Sequence, residues 1–181
     1  EAATLAIDDY RDYRIRKIGA ENAVIEVVYP RSEQERAFYT TLATVQKHVI
    51  PLKRQKVDLV MPNSMFRPGG RDKVGSRTWY RNMWQELGFD IEIITYIDGK
   101  GLDAAIAATE DAREDATVVV SATQAHIDAM KVDDRTMSSS DMEKARALGA
   151  KVDRFLQDRS NVRMMPPVPE ISKKRNSEWE F

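Results

Sequence analysis

The chain has 181 residues, no cysteine and two histidines, and its 28 lysines and arginines stand against 29 aspartates and glutamates for a net charge of −1. This excludes a disulfide framework, a cysteine nucleophile and any cysteine-ligated metal centre, and it argues against a His-rich metal site and a globally basic nucleic-acid coat. With 42% hydrophobic and 31% charged residues, the length suits one globular domain with extensions, able to bury roughly 70% of its unfolded surface.

The longest apolar runs, such as Ala104–Ala108 and Val118–Val120, fall far short of the ~20 residues that span a bilayer. Glu1 to Ile7 lack the basic start and apolar stretch of a signal peptide. With cysteine absent, a reducing, cytoplasmic setting is the expectation, with no membrane partner.

Taken in chain order, residues 1–22 read as an N-terminal extension, amphipathic through Leu5, Ile7, Tyr10, Tyr13, Ile15 and Ile18. Its end, Tyr13 to Ile18, is placed to pair with the following strand across a Gly19–Asn22 turn. Residues 24–29 are β-branched and aromatic and predict a first strand. Ser32 and Glu35 form a capping box, followed by Phe38, Leu42, Val45 and Val49 at helical spacing, and Pro51 closes that helix. Residues 57–61 predict a second strand, stopped by Pro62. Trp79, Tyr80, Met83, Trp84 and Leu87 make a second helical stripe, with Gly88 as its C-cap. Residues 91–96 predict a third strand, and Leu102, Ala105, Ile106 and Ala112 a third helix. Residues 117–121 predict a fourth strand, and a short helix covers Gln124 to Met130. Ser140 and Glu143 read as a capping box for a helix carrying Met142, Ala145, Leu148, Val152, Phe155 and Leu156.

The fold expected is therefore an α/β three-layer sandwich with a mainly parallel, Rossmann-like sheet over residues 23–158. Residues 159–181 read as a tail. Pro166, Pro167 and Pro169 favour an extended path, Lys173-Lys174-Arg175 is basic, and Trp179 and Phe181 are apolar. Such a tail is either disordered or docked on a protein partner or in an oligomer.

In a parallel sheet the segments after each strand meet at the carboxyl edge, where helix starts offer free amides to anions. Here those segments hold Arg31, Asn63, Asp98, Lys100, Gly101 and Thr123. The stretch after the second strand is the most distinctive. Residues 63–82 carry Arg67, Arg71, Lys73, Arg77 and Arg81 against Asp72 alone, a local charge of +4. Arginine forks match phosphate oxygens and the glycines let amides approach them. Phe66, Trp79 and Tyr80 are candidates to stack on bases; Trp79 and Trp84 equally read as core. No Walker A pattern is present. His126, close to Thr123, Gln124 and Asp128, is a candidate for acid–base chemistry, the alternative being a capping or surface histidine, and Asp98 is a second catalytic candidate. Asp98-Gly99-Lys100 also has the D-x-K form of some nuclease sites. Glu26, Asp58 and Glu92 hold matching places near strand starts, either as a metal-binding acid cluster or as a solvated rim at the amino edge. His48 ends a helix and reads as structural.

The order of residues 23–123 resembles the nucleotide-sugar half of GT-A glycosyltransferases of the family-2 type. The Val28-Tyr29-Pro30-Arg31 turn matches the Pro-containing end of that family's first strand. Gly99-Lys100-Gly101, followed by an Ala-rich helix and Val118–Val120, matches its Gly-Lys-Gly arrangement. The family places an acid where this chain has Asn63, and its metal-binding D-x-D where this chain has Ser121-Ala122-Thr123. The resemblance thus implies nucleotide binding without the metal carboxylates. The leading function is binding, with possible turnover, of a nucleotide or nucleotide-sugar. Arg31, Asn63, Arg67, Arg71, Lys73, Arg77, Lys100, Gly101 and Thr123 would hold the ligand. Asp98 and His126 would do the chemistry of a glycosyl- or nucleotidyl-transferase, and no cofactor or metal is specified. The alternatives are a module binding nucleic acid or protein through the 63–82 stretch and the tail, and a metal-dependent nuclease.

Overall fold

A computed structural model of the chain describes residues 14–15, 25–26, 33–70 and 75–168. Four strands form one parallel sheet: β3 (Lys56–Pro62), β4 (Asp90–Tyr96), β5 (Thr117–Val120) and β6 (Val162–Met164), in the order β4-β3-β5-β6. β1 (Arg14–Ile15) and β2 (Ile25–Glu26) pair antiparallel in a two-stranded sheet of their own, with Arg14 opposite Glu26. The pairing expected between Tyr13–Ile18 and the next strand is therefore present. The membership of residues 24–29 in the parallel sheet is not: the described part, Ile25–Glu26, pairs with Arg14–Ile15 instead.

Helices cover both faces of the parallel sheet. On one face, α1 (Glu33–Val49) and α2 (Arg77–Glu86) pack Phe38, Leu42, Val45, Val49, Tyr80 and Trp84 against Val57, Leu59, Met61, Ile91 and Ile93. On the other, α3 (Gly101–Ala108) and α5 (Ser139–Asp158) pack Leu102, Ala105 and Val152 against Val60, Val118, Val120 and Val162, with the short α4 (Gln124–Asp128) alongside. β3 and β5 are buried on both sides, which is why their sequences run apolar without alternation. Leu87 ends α2 and Gly88, at φ +89°, supplies the left-handed turn that a side chain resists.

The helix ends show what short polar residues decide. α5 is capped by Ser138, whose hydroxyl accepts from the Asp141 amide at 3.1 Å, so the cap lies two residues before the expected Ser140. In a run of three serines the first that can leave helical geometry takes the cap. The capping box at Ser32 and Glu35 lies outside the described side chains.

The tail begins later than residue 159. Val162–Met164 is the outer strand beside β5, and the Met165 and Val168 amides donate to Val120 and Ala122. Met165 and Val168 are buried, so residues 162–168 complete the sheet. Three residues with an exposed arginine between two apolar ones, followed by prolines, leave almost no strand signal. Residues 169–181 lie outside the described part, as do Arg31, Arg71 and Lys73.

The amino edge is neither a solvated rim nor a joint metal cluster. Asp58 is 1% exposed and accepts from the Arg113 amide at 2.7 Å and its Nε at 2.8 Å. The same guanidinium reaches Asp90 at 2.6 Å and the Val57 carbonyl at 3.2 Å, joining β3, β4 and the approach to β5. Glu92 is held bidentate by Arg81 at 2.9 Å on both arms, while Glu26 belongs to the other sheet. Among the described residues no group of three metal-ligating side chains gathers, and no helix is long and apolar enough to cross a membrane.

Two outcomes follow. Arg113→Met strands the buried Asp58 carboxylate and should cost about 3 kcal/mol in urea unfolding, the low end for a broken buried pair because Arg113 keeps 30% of its side chain in water. The Arg81 guanidinium holds the Glu92 carboxyl below its usual pKa. The stability this adds is present above the unfolded-state value and is lost as pH falls through the lower folded one. The melting temperature of Glu92→Gln should therefore fall less steeply than the parent's between about pH 5 and pH 3.

Candidate functional site

From β3 the chain first adds β4 on one side, then crosses back to place β5 on the other. The strand order thus reverses between β3 and β5, and segments leaving their carboxyl ends diverge to open a crevice. A cavity of about 170 Å³ lies there. Ser64, from the turn after β3, Asp98, Gly99 and Gly101 after β4, and Thr123 and His126 after β5 line it. Leu102 and Leu148, with Ala125 and Ala129, form an apolar wall.

The polar wall is one connected network. Asp98 accepts the Ser64 amide at 3.1 Å on one oxygen and the Ser64 hydroxyl on the other. His126 Nδ1 accepts the Thr123 amide at 3.3 Å, so the ring proton is assigned to Nε2, which donates to the Asp98 carbonyl at 3.0 Å. The Thr123 hydroxyl accepts the His126 amide at 3.3 Å, completing a capping box at the start of α4. The Tyr96 hydroxyl lies 3.4 Å from Nδ1 and donates to the Ser121 carbonyl at 2.8 Å. Burial, reinforced by the Asp98 charge, raises the Tyr96 pKa far above neutral, so the phenol stays protonated. His126 therefore acts as a cap and as a strut between the turns after β4 and β5.

This network sets the chemistry. The serine hydroxyl meets a carboxylate, while the imidazole Nε2 is turned to a main-chain carbonyl, so a serine–histidine nucleophile pair is not assembled. Asp98 keeps lone pairs beyond the two used by Ser64 and is the charged group lining the cavity.

Several expected ligand residues go elsewhere. Asn63 is exposed beside the cavity, its carbonyl taken by the Phe66 amide. The Arg67 backbone pairs with Gly75 and Ser76, and Arg77 Nη2 donates to the Ile93 carbonyl at 3.1 Å. Lys100 is exposed and does not line the cavity. Phe66 and Tyr80 meet edge to face at 5.4 Å in the core, so these two rings are not a platform for bases; Trp79 is half-buried and packs against Phe38 at 6.1 Å, and Trp84 is fully buried as core. The 63–82 stretch is anchored at both ends, by Met65 and Phe66 on one side and the fully buried Ser76 on the other.

Of the expected residues, Asp98, Gly101, Thr123 and His126 come together; Ser64 and Tyr96 join them without having been singled out. Ser64 lies two residues past Pro62 in the segment that the sequence already places at the carboxyl edge; which residue of that segment enters the crevice is shown only by the structure. The fold and site define an open, parallel α/β protein with a cavity at its switch point that has one polar and one apolar wall. The chain matches no known family model, no curated protein and no solved structure.

Gly101 shapes the cavity floor at φ +73° and ψ −162°, a region essentially closed to side chains, although a Cβ there would meet no atom within 4 Å. Gly101→Ala should lower stability by about 1–3 kcal/mol through backbone strain alone. Gly99→Ala, also in open space but without positive φ, should stay within about 0.5 kcal/mol, both read by chemical denaturation.

Proposed function

We propose that the chain binds a small hydroxyl-bearing ligand, the sugar part of a nucleotide or nucleotide-sugar, in the cavity between β3 and β5. The observation that carries this reading is the Asp98 carboxylate on the cavity wall, already oriented by Ser64 and with acceptor sites to spare. A carboxylate at this edge of an open sheet suits ribose-type hydroxyls, which donate to it, and repels phosphate. The facing wall of Leu102, Leu148 and alanines suits the apolar side of a sugar ring. At about 170 Å³ the cavity is below the roughly 300 Å³ of pockets that enclose larger ligands, so a single ring enters and phosphates stay outside, toward Lys100.

The resemblance to GT-A glycosyltransferases supports a sugar nucleotide, because Gly99 and Gly101 of the matching Gly-Lys-Gly turn border this cavity. In a transfer reaction Asp98 would take the proton of an acceptor hydroxyl, with His126 holding its main chain in place. A nucleic-acid interface built on stacked rings has less support, since Phe66 and Tyr80 are in the core.

Thermal shift and calorimetry test this with nucleosides, nucleotides, nucleotide-sugars and inorganic phosphate. A sugar-containing ligand at a hundred times its Kd should stabilise the fold by about 2.7 kcal/mol, and phosphate alone should not. Asp98→Asn should weaken binding about tenfold or more through loss of charge-assisted hydrogen bonds. No response to any sugar-containing ligand at millimolar concentration would overturn the reading.

A further inference from the structure

β4 is a strand of seven residues that, among the described residues, is paired on one side only. Such an edge offers a row of backbone groups to any extended segment, above all to the same edge of a second copy. The opposite edge is blunted by brevity: β6 has three residues, and Pro166 and Pro167 follow. β4 has neither defence.

α2 supplies another. Arg77, Arg81 and Gln85 are spaced four apart and so form one stripe along the helix. Each reaches β4, in order. Arg77 donates to the Ile93 carbonyl at 3.1 Å, Arg81 grips the Glu92 carboxylate at 2.9 Å, and Gln85 donates to the Ile91 carbonyl at 3.2 Å. In a parallel strand alternate residues turn their carbonyls to the same side. Ile91 and Ile93 are such a pair, and side chains reaching them from α2 mark that side as the free one.

We propose that Arg77 and Gln85 form an edge guard, which occupies the outward Ile93 and Ile91 carbonyls of β4 and keeps this strand from pairing with β4 of a second copy; Arg81, between them, grips a side chain and no carbonyl. Arg77 then has a structural partner rather than a phosphate. The guard is independent of the cavity, which lies at the carboxyl ends of the strands.

The test is R77M/Q85L, which keeps an unbranched or similarly bulky apolar stem at each position and removes both donors, followed by light scattering across a concentration series. The expected result is association above the parent's state that grows with concentration, accompanied by slower amide exchange in residues 90–96. R81M leaves both carbonyls bonded and should keep the parent's association state. An unchanged association state in R77M/Q85L overturns the proposal. Equal association in R81M overturns it too, because general loosening of α2 would then be the cause. R77M and Q85L alone each open one carbonyl and are read by the same criteria if the double variant does not fold.

Discussion

Strand β3 has water on neither face, and most of the structure is arranged around that constraint. Its residues alternate between the two cores, Val57, Leu59 and Met61 to one and Val60 to the other. Helices cover each side, and both neighbouring strands run parallel to it, the arrangement in which a sheet is buried on both faces. The one buried charge in this strand, Asp58, is tolerated because Arg113 meets it with main-chain and side-chain donors at once. The same arginine also ties down Asp90, so the amino edge of the sheet is closed by a compact ionic knot.

The carboxyl edge is open for the complementary reason. Chain leaving β3 and β5 departs in different directions, and no single helix fills the gap. The polar groups that line it are fixed by one another: Ser64 orients Asp98, and His126 braces the Asp98 main chain while capping α4. A wall held this way loses little freedom when a ligand arrives, which favours binding. The same bonding withholds His126 from Ser64, so the two do not form a nucleophile pair.

The basic stretch at 63–82 shows how charge along a chain differs from charge at a site. Five cations close in sequence suggested a phosphate clamp. Folding sends Arg77 and Arg81 to β4, buries Phe66 and Tyr80, half-buries Trp79, and, among the described residues, leaves the cavity lined by an acid. Helical spacing was the overlooked signal, since positions 77, 81 and 85 share a face and must meet the same neighbour.

Local pattern by itself determined the α/β class, the helices over residues 33–49, 77–86 and 101–108, strands β3, β4 and β5, and the carboxyl edge as the place for a site. These follow from the period of apolar residues and from caps, which act over a few residues. Only the tertiary structure decided that residues 25–26 leave the parallel sheet and that Val162–Met164 enters it, because a short strand gains its stability from a neighbour distant in sequence. It also decided which polar groups meet. Ser64, Asp98 and His126 lie on three separate turns, and strand order brings those turns to one crevice.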